Sequence, residues 1–189
     1  KPLIIPHGGA KLLYPENTIY AFEKLTKEGY DVFEVDLTLT KDDKLISHHD
    51  INLARTTSDS EFIIDLTYEE IISKYISSHF AEDFRNFEDK GIEDIDLIKD
   101  QVIPATLDYL FTKYQDKFFI LELKDTKNNS GSKTMVKAVD KLIQLIDVYR
   151  MKDNVIVAAF DDEMIKLIRE KSNGEVITTA AIDESIRFI

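Results

Sequence analysis

Two acids interrupt the β-like run VFEVDLT at 32–38, Glu34 and Asp36, and a third, Glu122, sits inside the apolar run FFILELK at 118–124. Side chains two residues apart on a strand point to the same face. Glu34 and Asp36 therefore look at one place, and Lys124 shares the face of Glu122. An isolated ionised carboxylate is very costly to bury, so acids in such runs call for a compensating cation: lysine, arginine or a metal. An all-oxygen ligand set suits magnesium, calcium or manganese better than zinc. For any one of these acids taken singly, a solvated position at a strand end stays open as the alternative.

The histidines narrow the choice. His7, His48 and His49 all fall at the carboxyl ends of strand candidates, while His79 is expected at the surface. His48 and His49 are neighbours and so point to opposite sides of a strand; only one of them faces a site. Imidazole changes charge near neutral pH, which suits it to proton transfer. Barrel enzymes carry their active sites at the carboxyl rim of the strands, so histidines ending strands beside carboxylates point to a catalytic site there.

The elements that must position these groups alternate between strands and helices. Strand candidates are 3–7, 32–38, 44–49, 118–124, 155–160 and 176–181. Residues 17–28 carry Ile19, Phe22 and Leu25 along one helical face and stop at Gly29. Thr67 with Glu70 forms a capping box, flanked by Leu66 and Ile71 at staple positions, so a helix starts near residue 68. Val136, Val139, Leu142, Ile143 and Ile146 form one stripe over 133–149, and Ile165 and Ile168 repeat the pattern over 162–171. Several strands lack strict alternation, as expected where both faces are covered, which favours a parallel α/β sheet or barrel. The KDD turn before 44–49 is too short for a crossover helix, so part of that run must travel back. Residues 79–102 read as an irregular excursion over one rim, and TKNNSGSK at 126–133 as a loop.

Composition sets the outer limits. The 189 residues suit one domain, and 43% hydrophobic with 32% charged residues is the balance of a soluble globular protein. A net charge of −12 argues against sequence-independent nucleic-acid binding, and an anionic substrate needs a metal or a local cationic pocket. No apolar run is long enough to cross a bilayer. The absence of cysteine excludes disulfides and thiol catalysis. An acidic chain of this kind is compatible with secretion or surface attachment, and its oligomeric state is left open.

Several blocks together resemble a known family. HGGA (7–10), PENTIYAFEKLTKEG (15–29), FEVDLTLTKDDKLISHHDINLARTT (33–57) and ILELK (120–124) are similar to the signature blocks of glycerophosphodiester phosphodiesterases, with IPATLDYL and VIVAAFDD as looser matches. The resemblance implies a metal-dependent (β/α)8 TIM barrel whose metal acids fall on Glu34, Asp36 and Glu122. It implies catalytic histidines at His7 and His49, the latter because it precedes Asp50, with His48 facing away. Lys124 is implied as a phosphate contact, Glu16 approaches the site, and Asn17 or Thr18 caps the following helix. The implied cofactor is a divalent metal ion, Mg2+ or Ca2+, and the implied substrate a small phosphodiester such as glycerophosphocholine.

Two departures stand out. The family's usual arginine after the first histidine is replaced by Gly8, so a bidentate phosphate contact is lost and Lys124, Arg55 or another residue must substitute. Six strand candidates stand where a barrel needs eight, so the last two βα units are absent or unseen. A weak relative that binds phosphodiesters or lipid head groups without turnover, and a non-catalytic interaction scaffold, are the rival expectations.

Overall fold

The structure is a computed structural model and describes residues 3–57, 59–78, 100–124 and 133–180. Strands β1 (Val32–Leu39), β2 (Leu45–Ser47), β3 (Phe118–Leu123) and β4 (Val155–Ala158) form one sheet in the order β2-β1-β3-β4. β1, β3 and β4 run parallel, and β2 pairs antiparallel with β1 through Leu37–Ser47, Thr38–Ile46 and Leu39–Leu45. The return follows from the short connection: Asp43 takes a left-handed φ of 62°, and the Thr40 N–H donates to the Lys44 carbonyl at 2.9 Å.

Helices α1 (Ile19–Lys27), α2 (Ala54–Thr57), α3 (Tyr68–Ser77), α4 (Leu107–Lys113), α5 (Lys133–Val148) and α6 (Asp162–Lys171) complete the described elements. Several helices begin where a side chain satisfies a free N–H. Thr18 caps α1, Thr67 with Glu70 forms the expected capping box on α3, and Asp161 caps α6. One face of the sheet presents Phe33, Val35, Leu37, Phe119, Leu121 and Leu123, packed in a single cluster with residues of α1, α4, α5 and α6. Phe33 lies at its centre, with ring centroids 5.6 Å from Phe22, 5.8 Å from Phe119 and 5.3 Å from Tyr114. The stripe on α5 is turned slightly from the expected one. Met135, Ala138 and Leu145 face inward and Val136 does not.

Three expectations need correcting. Residues 3–7 are not a strand: 3–6 run without ladder pairing, and His7–Gly9 form a 3-10 turn. Pro6 has no N–H to give to a ladder, and left-handed φ angles at Gly8, Gly9 and Ala10 bend the chain across β1 instead. Residues 176–180 form no strand either, only the parallel bridge of Thr178 to Val157. The sheet is thus mixed and four-stranded, and among the described residues no barrel closes. Nor are both faces covered throughout. β1 is buried along its whole length, but Phe118 on β3 and Ile156 on β4 are 52% and 39% exposed. The excursion from 79 to 99, with His79, and most of the 126–133 loop lie outside the described residues.

Candidate active site

The face of the sheet opposite Phe33, Val35 and Leu37 carries the acids. Asp36 and Glu122 are direct partners in the β1–β3 register, and Glu34 lies two residues before Asp36 on the same side. Parallel pairing at this register, not the sequence separation, brings Glu122 to the other two. One carboxylate oxygen from each of the three lies within 4.8 Å of the others. Glu34 and Asp36 are buried. Burial, and then the neighbouring Asp36 charge, push the Glu34 carboxyl above its ordinary range, against the opposing pull of the Gly8 N–H and His7.

Lys124 extends from the end of β3 into this cluster. Its ammonium pairs with Glu122 and lies 2.9 Å from Asp36 Oδ1. Burial works against its charge, but the two carboxylates outweigh that and hold its pKa above the lysine value. Asp36 Oδ1 is buried and faces the Lys124 ammonium, while its Oδ2 accepts from Asn17 Nδ2 at 2.8 Å. A converging, largely buried all-carboxylate set is the donor chemistry of a hard divalent cation, so these residues fit the expected metal.

His7 comes to the cluster by way of the 3-10 turn. The Gly8 N–H donates to Glu34 Oε2, the Gly8 carbonyl accepts from Asn17 N at 2.9 Å, and His7 Nδ1 stands 2.8 Å from Glu34 Oε2. Gly8 holds φ 55°, and a Cβ there would point between Asn17 and Asp36, about 3.5 Å from each. An arginine in this turn would have to adopt a left-handed backbone that non-glycine residues disfavour.

The second histidine follows β2. His48 turns inward, fully enclosed, with Nδ1 donating to the Asp50 carbonyl at 2.8 Å and Nε2 3.2 Å from Thr56 Oγ1. His49 turns outward and places Nδ1 2.8 Å from Asp50 Oδ1. It lines a cleft of about 390 Å³ together with Ile51, Glu122, Lys124, Phe160 and Met164. The exposed Phe160 ring at the mouth has the Lys124 ammonium 5.7 Å from its centroid.

Burial depresses the pKa of His48. A histidine that resists protonation in the folded state binds fewer protons than in the unfolded chain, so stability is lost as pH falls through the unfolded value near 6.5. Urea melts at stepped pH should show this fall beginning near that value in the wild type, and a flatter profile between pH 5 and 7 in His48→Asn.

The predicted residues therefore meet in two groups. Glu34, Asp36, Glu122, Lys124 and His7 are joined directly, and His49 faces the same cleft as Glu122 and Lys124. Glu16 and Arg55 pair instead with each other, and Arg55 Nε also donates to Asp50 Oδ2 at 2.7 Å. Asn17 is more than a neighbour of the helix cap, which Thr18 supplies. Its Nδ2 holds the Asp36 carboxylate, and its Oδ1 accepts from the Asp36 N–H at 3.2 Å. Nothing local foretells this contact, which depends on a left-handed φ of 54° at Asn17 and on the packing of its loop over β1. The cleft residues Ile51, Phe160 and Met164 were not singled out as site residues from the sequence, being ordinary apolar residues.

Carboxylates and imidazoles gathered toward the carboxyl ends of parallel strands stand where α/β-barrel enzymes carry their active sites. The chain matches the model of the glycerophosphoryl diester phosphodiesterase family over residues 7–185 and belongs to that family. It is 31% identical over 170 residues to a glycerophosphodiester phosphodiesterase of Caldanaerobacter subterraneus subsp. tengcongensis, covering 90% of this chain and 63% of that enzyme. The glycerophosphodiester phosphodiesterase of Agrobacterium tumefaciens str. C58 shares the fold at a TM-score of 0.69 and 22% identity, over 97% of this chain and 68% of that one. So does the glycerophosphoryl diester phosphodiesterase domain of Rv2277c from Mycobacterium tuberculosis, at 0.74 and 15%, over 99% and 62%. The chain spans about three fifths of the length of the first curated relatives, 63% and 60%. Among the described residues, no helix is long and apolar enough to cross a membrane.

Proposed function

We propose that the protein hydrolyses a glycerophosphodiester, with water, to glycerol 3-phosphate and an alcohol, within the (β/α)8 barrel of its relatives. The observation that carries this reading is the convergence of Glu34, Asp36 and Glu122 within 4.8 Å, with His7 bonded to one of them. Those three acids would hold a divalent cation, Mg2+ or Ca2+, which when bound supplies positive charge to a phosphoryl oxygen.

The remaining work falls to the chain's own side chains. A carboxylate can only accept, so the Nδ1 contacts of His7 with Glu34 and of His49 with Asp50 put the proton on Nδ1 in both rings. Each imidazole then presents Nε2 outward. One Nε2 takes the proton of the attacking water, and the other, protonated, delivers a proton to the departing alcohol, leaving glycerol 3-phosphate. Lys124 offers its ammonium to the phosphate in place of the arginine missing at Gly8. The apolar wall of Ile51, Phe160 and Met164 shields one side of the cleft from water.

Release of glycerol 3-phosphate from glycerophosphocholine, followed with and without Mg2+ or Ca2+, tests the reading. Turnover that appears with the cation and vanishes with a chelator is expected. A protein that takes up either cation and hydrolyses no glycerophosphodiester would overturn the assignment in favour of a binding role.

A further inference from the structure

The Glu16–Arg55 pair lies apart from the acids yet ends on a histidine. Asp50 spends one oxygen on His49 Nδ1 at 2.8 Å and the other on Arg55 Nε at 2.7 Å, and the Arg55 Nη2 is engaged by Glu16. The segment that holds these groups is tied down from inside. His48 bonds the Asp50 carbonyl, the Ala54 N–H donates to Asn52 Oδ1 at 3.0 Å, and Thr56 and Thr57 both donate to the Leu53 carbonyl. Glu16, mostly buried, adjoins Asn17, the residue that clamps Asp36. One dipeptide thus reaches both halves of the site: Asn17 holds an acid of the cluster, and Glu16, through Arg55 and Asp50, reaches His49.

We infer that Arg55 is a positioning residue and not a phosphate contact: it fixes Asp50 so that His49 is held as the Nδ1–H tautomer with Nε2 toward the cleft. This rests on the hydrolytic reading for its consequence in turnover, but not for the geometry. The choice of arginine follows from the fork. Two donors on one planar group reach two carboxylates at once, which a lysine ammonium on a flexible stem does not reproduce. Both carboxylates also hold the guanidinium pKa above its ordinary value, so Arg55 stays charged throughout the working range. Burial pushes the Asp50 carboxyl up, but the His49 and Arg55 hydrogen bonds outweigh it, so Asp50 sits below the usual carboxylate range and remains an acceptor.

The experiment has two readouts on Arg55→Gln, Arg55→Lys and Asp50→Asn. The first is the imidazole 15N spectrum of labelled protein, which distinguishes tautomers without requiring turnover. The wild type should show His49 as the Nδ1–H form, and each variant a mixture or the Nε2–H form. The second is steady-state kinetics on glycerophosphocholine with Mg2+ present. kcat should fall about ten- to hundred-fold, as for lost support of an oriented histidine, with KM little changed. Combining Asp50→Asn with Arg55→Gln should be no worse than Asp50→Asn alone, since both act through one bond. A KM that rises while kcat holds, or a His49 tautomer unmoved in Arg55→Gln, overturns the inference. A wild type without turnover whose His49 tautomer still depends on Arg55 would defeat the hydrolytic reading and leave the positioning role intact.

Discussion

Asparagine at Asp36 is expected to remove all stabilisation by Mg2+ or Ca2+, and turnover with it. In the wild type, saturating cation at a hundred times its Kd should add ~2.7 kcal/mol to the unfolding free energy, because it binds only the folded arrangement of three acids. Asp36 is the centre of that arrangement. It is in register with Glu122, two residues from Glu34, and almost fully buried. Asparagine keeps the volume and can still accept from Asn17, but it supplies neither the charge nor a second acceptor. The fold should survive the change, since Lys124 keeps its pair with Glu122 and the hydrophobic cluster lies on the opposite face of the sheet. Thermal melts of wild type and Asp36→Asn with cation or chelator decide the matter. A wild-type melting temperature that does not respond to either cation would end the metal reading.

Alanine at His7 or at His49 should lower kcat about 10²- to 10⁴-fold, the usual worth of a positioned proton carrier. The two effects should not multiply in the double variant, because acid and base serve one reaction. Both rings are substantially exposed, 54% for His7 and 40% for His49, so truncation opens no core cavity. Cation uptake then separates the two. His49 touches Asp50 and not the acids, so His49→Ala should bind the cation as the wild type does. His7 bonds Glu34 directly, and His7→Ala should shift the affinity as well as the rate. Initial rates on glycerophosphocholine and parallel calorimetric titrations with Mg2+ provide both measurements. Full activity in either single variant would remove that histidine from the mechanism.

The residue types with chemistry in them, and their local spacing, were legible without a structure. Glu34 and Asp36 had to share a face because a strand alternates, and they do. His48 and His49 do point apart, but they lie past the end of β2, so strand alternation is not what separates them. The capping box at Thr67 and the helix over 162–171 follow from interactions between residues three and four apart, and they too stand where expected. The short KDD link demanded a return strand because no helix fits in three residues, and β2 is antiparallel. All of these are consequences of contacts close along the chain.

What the tertiary structure decided is everything that depends on register and on how loops lie over strands. Glu122 reaches Asp36 through the pairing of β1 with β3, a choice made between segments far apart in sequence. Residues 3–7 carry the composition of a strand, yet left-handed angles at 8–10 turn His7 onto Glu34. Arg55 reads as a free cation available to phosphate, but folding places it between Glu16 and Asp50. Propensity and period act over a few residues, whereas these contacts bring together groups from separate elements and are determined by packing of the whole sheet. The sequence by itself therefore named the acids and the imidazoles, and only the fold settled which partner each of them holds.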